Sequence, residues 1–427
     1  MTVRAAGVLL FCMVGLSLLS DIFAIPFYLA AGLCSWLAVF LLLPTIGKLV
    51  LGQAGIIVLL GMVMLVLAAH AGADIDYAAV VSKNAGLITM IASVGFLRLI
   101  AVVDSGSEPL PVGASAFFKT LLGVSVFGSV INISAPILFA DRLHAENRLS
   151  RLASSSLTRV FSGCSAWSPF FGGMAAVVTY VPDVQLPVLM ACCLPFALMG
   201  LLVVCLDAGF LKRQLLSEFY GYPVQFRSLW IPVMLSLLVA GLSVVAPDWS
   251  VLTSISVAAL VLTFATLVVW YGIGGWHRIT QHVLRQLPAM GNELFLFLAA
   301  GVLAQGLSSL ISSGLLSMPL FHFGALQAVA LLFFMVVIGA IGVHPVIFIA
   351  GITPLILMME PNDNLLGIVY LLAWSLGTCA SPLSGTHLVF QGRYGIPSWR
   401  GAIWNWPYVG VMLLISVPYL IAVAVFL

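Results

Sequence analysis

Apolar residues run along this chain in stretches of about 20, the length a helix needs to cross the hydrocarbon core of a bilayer. Such stretches occupy residues 5 to 20, 22 to 43, 50 to 70, 84 to 104, 154 to 180, 186 to 209, 229 to 247, 251 to 273, 291 to 313, 365 to 390 and 404 to 427. Two others, 115 to 140 and 321 to 359, follow a different pattern. The second is too long for one span and breaks near Gly342-Val343-His344-Pro345. The first returns to Asp141 and Arg142 after few apolar residues, although it is also long enough for a full span. Both read as re-entrant hairpins that leave the membrane on the side they entered. The pattern predicts an all-α polytopic membrane protein with about eleven spanning helices and two re-entrant hairpins.

Two spans carry the same interruption, Ser168-Pro169-Phe170-Phe171-Gly172 and Ser381-Pro382-Leu383-Ser384-Gly385. Serine, proline and glycine together break a helix, and a bilayer tolerates unwound backbone only where protein encloses it or it lines a watery cavity. A paired break therefore suggests a binding site. The similarity extends further. Gly95 matches Gly301, 206 residues on, and Ile131-Asn132-Ile133-Ser134 matches Ile341-Gly342-Val343-His344, 210 residues on. Ser168 and Ser381 are 213 apart, and Pro195-Phe196 and Pro407-Tyr408 are 212 apart. Four landmarks in one order at nearly constant offset indicate an internal duplication. The chain then divides into an extra first helix at 1–21, repeat 1 at 22–210, a cytoplasmic linker at 211–228 and repeat 2 at 229–427.

Composition agrees with a membrane location. The chain is 62% hydrophobic and 7% charged, with mean hydropathy +1.20, more apolar surface than a soluble core can hide. A formal net charge of +2 and the lack of any long run of like charges exclude a nucleic-acid partner. The start, Arg4 followed by Ala5 to Leu19, mimics a signal peptide, but another spanning stretch follows at once, so the first helix is expected to stay attached. The cysteines Cys12, Cys34, Cys164, Cys192, Cys193, Cys205 and Cys379 are scattered through apolar segments and show no spacing of a disulfide framework or zinc site.

Charge placement orients the layout. With a cytoplasmic amino terminus and both hairpins re-entrant, the inner loops receive Lys48, Arg142, Arg148, Arg151, Lys212, Arg213, Arg227, Arg278, Arg285, Arg393 and Arg400. The outer loops receive Asp21, Asp74, Asp76, Asp183, Asp248, Glu360 and Asp363, with Lys83 the clearest exception. This is the positive-inside pattern, and replacing only one hairpin with a full span would invert every later loop. Under this topology the repeats enter from opposite sides. Inverted repeats whose broken helices meet near the midplane are the architecture of secondary transporters.

With one extra helix before two inverted repeats, each containing a hairpin, a broken helix and a final helix, residues 22 to 427 resemble the ion transporter superfamily. That group holds divalent-anion sodium symporters, the membrane subunit of tripartite periplasmic transporters, and arsenite and sodium-proton exporters. The resemblance implies an elevator motion of the hairpin and broken-helix part against a scaffold, and a homodimer through scaffold helices. The dicarboxylate branch carries Ser-Asn-Thr at its hairpin tips, where this chain has Asn132-Ile133-Ser134 and Gly342-Val343-His344. That departure argues against a dicarboxylate.

The expected site lies between the tips and the breaks: Asn132, Ser134, Ser165, Ser168 and Gly172 in one half, and Gly342, His344, Thr378, Ser381, Ser384, Thr386 and His387 in the other. Hydroxyls and freed carbonyls suit a sodium ion, and half-helix amino termini suit an anionic group. Against this, small hydroxyl residues in membranes also pack helices and bond back to their own turns. His344, deep in a hairpin, is read either as a carrier of a coupling proton or as a neutral cap on a half-helix. His387, nearer the inner end of its helix, is a second candidate that also fits simple contact with water.

Glu293 stands at a helix entrance, where it relays protons or is merely solvated, and Arg98 snorkels to the interface or attracts an anion. No buried aspartate pair is evident, which disfavours a sodium-proton exchanger. The expectation is a secondary transporter of a small anionic solute in a bacterial inner membrane, coupled to sodium or protons, with no cofactor beyond a bound sodium ion. A channel or lipid-translocating protein is the nearest alternative. An intramembrane serine hydrolase is disfavoured, because Ser-Pro-x-x-Gly lacks the glycine-flanked serine of a nucleophile elbow.

Overall fold

A computed structural model describes all residues except 102–108, 212, 223–229 and 318–321. Lys212 and Arg227, two of the basic residues assigned to the inner side, therefore lie outside the described residues, as do linker residues 223–228 and the start of the stretch 321 to 359. The described chain is helical throughout, with an isolated antiparallel bridge between Val112 and Tyr220 and no strand among the described residues.

The first half of the chain forms α1 (Thr2–Phe23), α2 (Tyr28–Leu42), α3 (Lys48–His70), α4 (Tyr77–Ser82), α5 (Ala85–Gly95), α6 (Ala114–Ile131), α7 (Ser134–Ala145), α8 (Arg151–Trp167), α9 (Gly172–Tyr180) and α10 (Leu186–Leu206). The second forms α11 (Arg213–Ser217), α12 (Trp230–Val245), α13 (Val251–Tyr271), α14 (Gly275–Gln281), α15 (Gly291–Ser312), α16 (Ala325–Ala340), α17 (Pro345–Leu357), α18 (Asp363–Ala380), α19 (Gly385–Tyr394) and α20 (Ser398–Phe426). Side-chain caps start several of them. Asp76 accepts from Ala79 N–H, Ser150 from Ala153 N–H, Ser250 from Thr253 N–H and Asn362 from Leu365 N–H, each satisfying an orphan first-turn donor.

Among the described residues, nine helical stretches are long and apolar enough to cross a membrane. The count differs from eleven for local reasons. Residues 251 to 312 form one continuous helical stretch that contains two of the expected spans. The helix over 230–245 is short, and the span expected at 154 to 180 is divided into α8 and α9, the first of them rich in Ser, Thr and Arg. Other boundaries move by a few residues: the expected span 84 to 104 begins at Tyr77 and ends at Leu99. Large apolar side chains stand outward along these helices, among them Leu59 at 64% and Val269 at 80% exposure. Contiguous apolar surface of that extent suits lipid. The protein is a multi-pass membrane protein.

The chain falls into two compact units, each drawing on stretches from both halves of the sequence. The first comprises residues 1–100, 234–322 and 346–360. Within it α3 lies against α15, where Gly61 and Gly306 face each other so closely that a methyl built on Gly61 would stand 2.7 Å from Val302 O. Small residues allow this approach, and approach is what packs helices where lipid is as apolar as leucine. Leu65, Ala68, Ile75 and Val302 fill the contact. Thr253 Oγ1 donates to Asp21, joining the start of α13 to the end of α1.

The second unit comprises residues 101–233, 323–345 and 361–427. At its core are α8 and α18. Of the 18 residues that make the best apolar span within Asp363–Tyr394, 83% are buried, against 22% within Lys48–His70, so the helix carrying the second Ser-Pro break is enclosed by protein. α8 is polar and buried at once: Ser154, Ser155, Ser156, Thr158, Arg159, Ser162 and Ser165 are all buried. The stretch 321 to 359 forms α16 and α17, and the two helices are assigned to different units, with His344 and Pro345 in the second.

Candidate functional site

All twelve residues singled out in the sequence fall in the second unit. The two Ser-Pro breaks there have the same local geometry. Ser168 (φ −76°, ψ 131°) ends α8 with its N–H on Cys164 O, and Ser381 (φ −81°, ψ 126°) ends α18 with its N–H on Gly377 O. Each serine hydroxyl then accepts the N–H two residues on, Phe170 and Leu383 respectively, at 3.2 Å in both cases. The next helices start at Gly172 and Gly385, after extended residues at Phe171 and Ser384. Proline removes a donor and disfavours helix in the residue before it, so serine supplies the missing turn.

The two tips also match. Asn132 between α6 and α7 has φ 54°, and Gly342 between α16 and Pro345 has φ 102°. Both residues have positive φ, and Asn132, at ψ −141°, sits outside the left-handed helical well that asparagine tolerates, in backbone that favours glycine.

The broken helices are joined at their middles by a reciprocal pair. Ser162 Oγ donates to Ser375 O, and Ser375 Oγ donates to Ser162 O at 2.7 Å, between residues 213 apart. Reciprocity of this kind is what a two-fold relation requires: i contacts j as j contacts i. Their ends run in opposite directions. Asp183 N–H donates to Asp363 Oδ2 at 3.2 Å and Gln185 N–H to Asn364 Oδ1 at 2.8 Å, so the end of the first broken helix meets the start of the second. At the other end Arg393 pairs with Asp141, just ahead of α8 in the chain, at 2.7 and 3.0 Å.

Tips and breaks come together. A methyl built on Gly342 would overlap Leu383 Cδ1, with Cγ at 3.2 Å, and one on Gly385 would meet Ile133 Cδ1 at 3.3 Å. Ser168 Oγ donates to Ser129 O at the end of α6. His344 stands edge-on to Trp374, ring centroids 5.3 Å apart, and Trp374 packs on Gly173 just past the first break.

The candidates separate by what they bond. Ser165 Oγ donates to Ser162 O in its own turn at 2.7 Å, the alternative that small residues in membranes commonly take. Asn132, Ser134, Gly172, His344 and Thr378 are partly exposed. Thr386 is 1% exposed, and its hydroxyl has no hydrogen-bond partner among the described residues. His387 does not meet water: it is 2% exposed, with Nδ1 2.8 Å from Ser381 O and 2.9 Å from Ser384 Oγ. Arg98 reaches Gln286 at 3.4 Å and Glu293 lies exposed in the first turn of α15, both within the first unit.

Sequence reasoning passed over a buried charge in the unit. Arg159, 3% exposed in the middle of α8, donates to Asn405 Oδ1 at 2.9 Å, Asp207 Oδ2 at 2.8 Å and Trp404 O at 2.7 Å. Asn405 reaches His387 in turn, Nδ2 to Nε2 at 3.3 Å. The signal that finds Arg159 is elementary, since an ionisable residue within a spanning segment is a functional candidate by default.

Hydroxyls, unwound carbonyls and the amino termini of α9 and α19 give this constellation the means to hold a small ion or polar anion. No group of three or more potential metal-ligating His, Cys, Asp or Glu side chains occurs among the described residues. No protein-family model matches the chain, and no curated protein matches it either.

Proposed function

We propose that the protein is a secondary active transporter of a small anionic solute, coupled to sodium or protons and working by elevator-type alternating access. One observation carries this reading. Two broken helices of the same local geometry run antiparallel, tied at their middles by the reciprocal Ser162–Ser375 bonds, each against a chain reversal at a positive-φ residue. That arrangement supports an inverted pair of repeats, whose value to a transporter is that each half can adopt the other's conformation.

The substrate site of this proposal lies between the tips at 132–134 and 342–344 and the breaks at 168–172 and 381–387. The buried unpaired hydroxyl of Thr386, in the first turn of α19, favours a ligand there, because an unpaired buried polar group costs free energy that a bound ion or water recovers. Two compact units, each built from both repeats, give an elevator motion two bodies to act between. Residues assigned by charge to one side also cluster. Asp183 and Asp363 meet, as do Asn362 and the last residue Leu427, while Arg151 lies over Trp404 and Arg393 on Asp141 at the opposite end. This segregation supports the layout with two re-entrant hairpins, and the positive-inside charge pattern favours a cytoplasmic amino terminus in a bacterial inner membrane. The resemblance to the ion transporter superfamily adds a homodimer.

The test is flux in proteoliposomes against a panel of small organic and inorganic anions, with imposed sodium and proton gradients. Saturable, gradient-driven uptake that is lost in both Ser168→Ala and Ser381→Ala is expected. Unchanged flux in both variants sinks the site, and conductance without saturation or gradient response makes the protein a channel. Cysteine accessibility at positions 148 and 363 tests the orientation, since the two lie on opposite sides.

A further inference from the structure

Arg159 determines which way a buried amide points. A guanidinium has donors only, so the Asn405 atom 2.9 Å from its Nε must be the amide oxygen. The amide nitrogen then faces the other way, where it donates to Gly401 O at 3.0 Å and stands 3.3 Å from His387 Nε2. Two independent partners, a donor on one side and a carbonyl on the other, therefore impose the same orientation. An amide nitrogen offers only hydrogens, so His387 Nε2 must present its lone pair, and the ring proton belongs on Nδ1. That placement agrees with the other side of the ring. Nδ1 lies 2.8 Å from Ser381 O, an atom that can only accept.

We propose that Arg159, acting through Asn405, fixes His387 as the neutral Nδ1–H tautomer, so that His387 positions the unwound backbone at Ser381 and Ser384 and does not carry a coupling proton. Its role in transport rests on the site proposed above; the tautomer does not. A proton added at Nε2 would point at the amide hydrogens of Asn405, donor against donor. Turning the amide to receive it would set those hydrogens against Arg159 and abandon Gly401 O. Either arrangement strands buried groups, which is the costly outcome for a polar network in low dielectric.

The charges around the ring do not oppose this. Arg159 is a cation, and its carboxylate partner Asp207 is engaged with it at 2.8 Å. On α19 itself Arg393 and Tyr394 both bond Asp141 of α7, and the ring of His144 of α7 lies tilted against Tyr394. Tyr408 on α20 lies beneath the Arg159 guanidinium, 5.3 Å from it, and Arg400 on the same helix stacks on Trp399. Cys379 on α18 is a buried free thiol. Ser384 Oγ, 2.9 Å from Nδ1, takes a second share of its proton and caps α19 by accepting His387 N–H.

The experiment is nitrogen-15 magnetic resonance of the full chain, labelled at histidine and held in lipid nanodiscs, with the His387 signals identified by their loss in His387→Gln. The expected result is one neutral ring with its proton on Nδ1, unchanged from about pH 5.5 to 8, the window where an unconstrained imidazole titrates. An Nε2–H ring, or a ring that titrates within that window, overturns the proposal. In Asn405→Asp the carboxylate can accept from Nε2–H, and the His387 midpoint should rise by at least about one pH unit; no rise overturns the link through Asn405. The wild-type spectrum decides the tautomer even if that variant fails to fold. Lowered flux in His387→Gln with the wild-type pH profile fits a positioning residue, whereas loss of a pH inflection overturns it. None of the spectra depends on a substrate, so failure of the transport reading would leave a separate signature in the flux of Ser168→Ala and Ser381→Ala.

Discussion

Replacing Arg159 with methionine should be the most damaging single change in the second unit. The side chain is 3% exposed and its partner Asp207 retains 21% exposure. Removing one member of a buried ion pair costs roughly 3–5 kcal/mol, because it strands the other charge. Asp207 keeps some exposure and is not left without other interactions, which places that contribution at the lower end, about 3 kcal/mol. Asn405 Oδ1 and Trp404 O lose their donor as well, and each unsatisfied buried acceptor adds about 1 kcal/mol. The expected total is about 4–5 kcal/mol. Replacing both ends with apolar side chains is often neutral, so Arg159→Met with Asp207→Leu should recover about 2 kcal/mol or more relative to the sum of the single changes. The assay is unfolding in dodecyl maltoside on titration with dodecyl sulfate, followed by tryptophan fluorescence. A single variant within about 1 kcal/mol of the parent, or a double variant as unstable as the sum, would refute the reasoning. Either result would mean that the pair is solvated as a surface bridge.

Gly342→Ala places an L side chain at φ 102° and against Leu383; it should destabilise by about 2–3 kcal/mol, whereas Asn132→Gly at φ 54° should be neutral or mildly stabilising, both read by the same titration. Ser162→Ala and Ser375→Ala should each cost about 1 kcal/mol, equally within error, with a double variant less damaging than the sum; clearly unequal effects would argue against a two-fold relation at that crossing. Gly401→Ala sets a methyl 2.7 Å from His387 Cδ2, so the ring must shift at a cost of about 1–3 kcal/mol. The His387 resonances should move with it, and unmoved resonances would place the ring elsewhere.

Much of this protein is local and therefore legible. Class follows from composition and stretch length, because a bilayer demands runs of about 20 apolar residues whatever the tertiary fold. The breaks at Ser168 and Ser381 and the turn at Gly342 also follow from sequence, because proline and glycine act on their own few dihedrals, whereas the strained reversal at Asn132 does not. Helix ends were less legible. The expected span 22 to 43 begins as a helix only at Tyr28, after Ala24 at φ 53°, a conformation that no residue type there announces.

What sequence alone could not give is which polar groups meet. Ser162 and Ser375 are 213 residues apart and Arg159 and Asn405 are 246 apart, and no periodicity within one helix relates them. Their pairing depends on α8, α18 and α20 packing in one register, and that packing is also what makes a polar helix such as α8 an interior one. The sequence determined that the chain spans a membrane and where its helices must break. The tertiary structure decided which hydroxyls are spent on their own turns, that Thr386 remains unpaired, and that an arginine absent from the sequence reading stands behind His387. Breaks are written in neighbouring residues, whereas a buried donor's partner is set only when distant helices close around it.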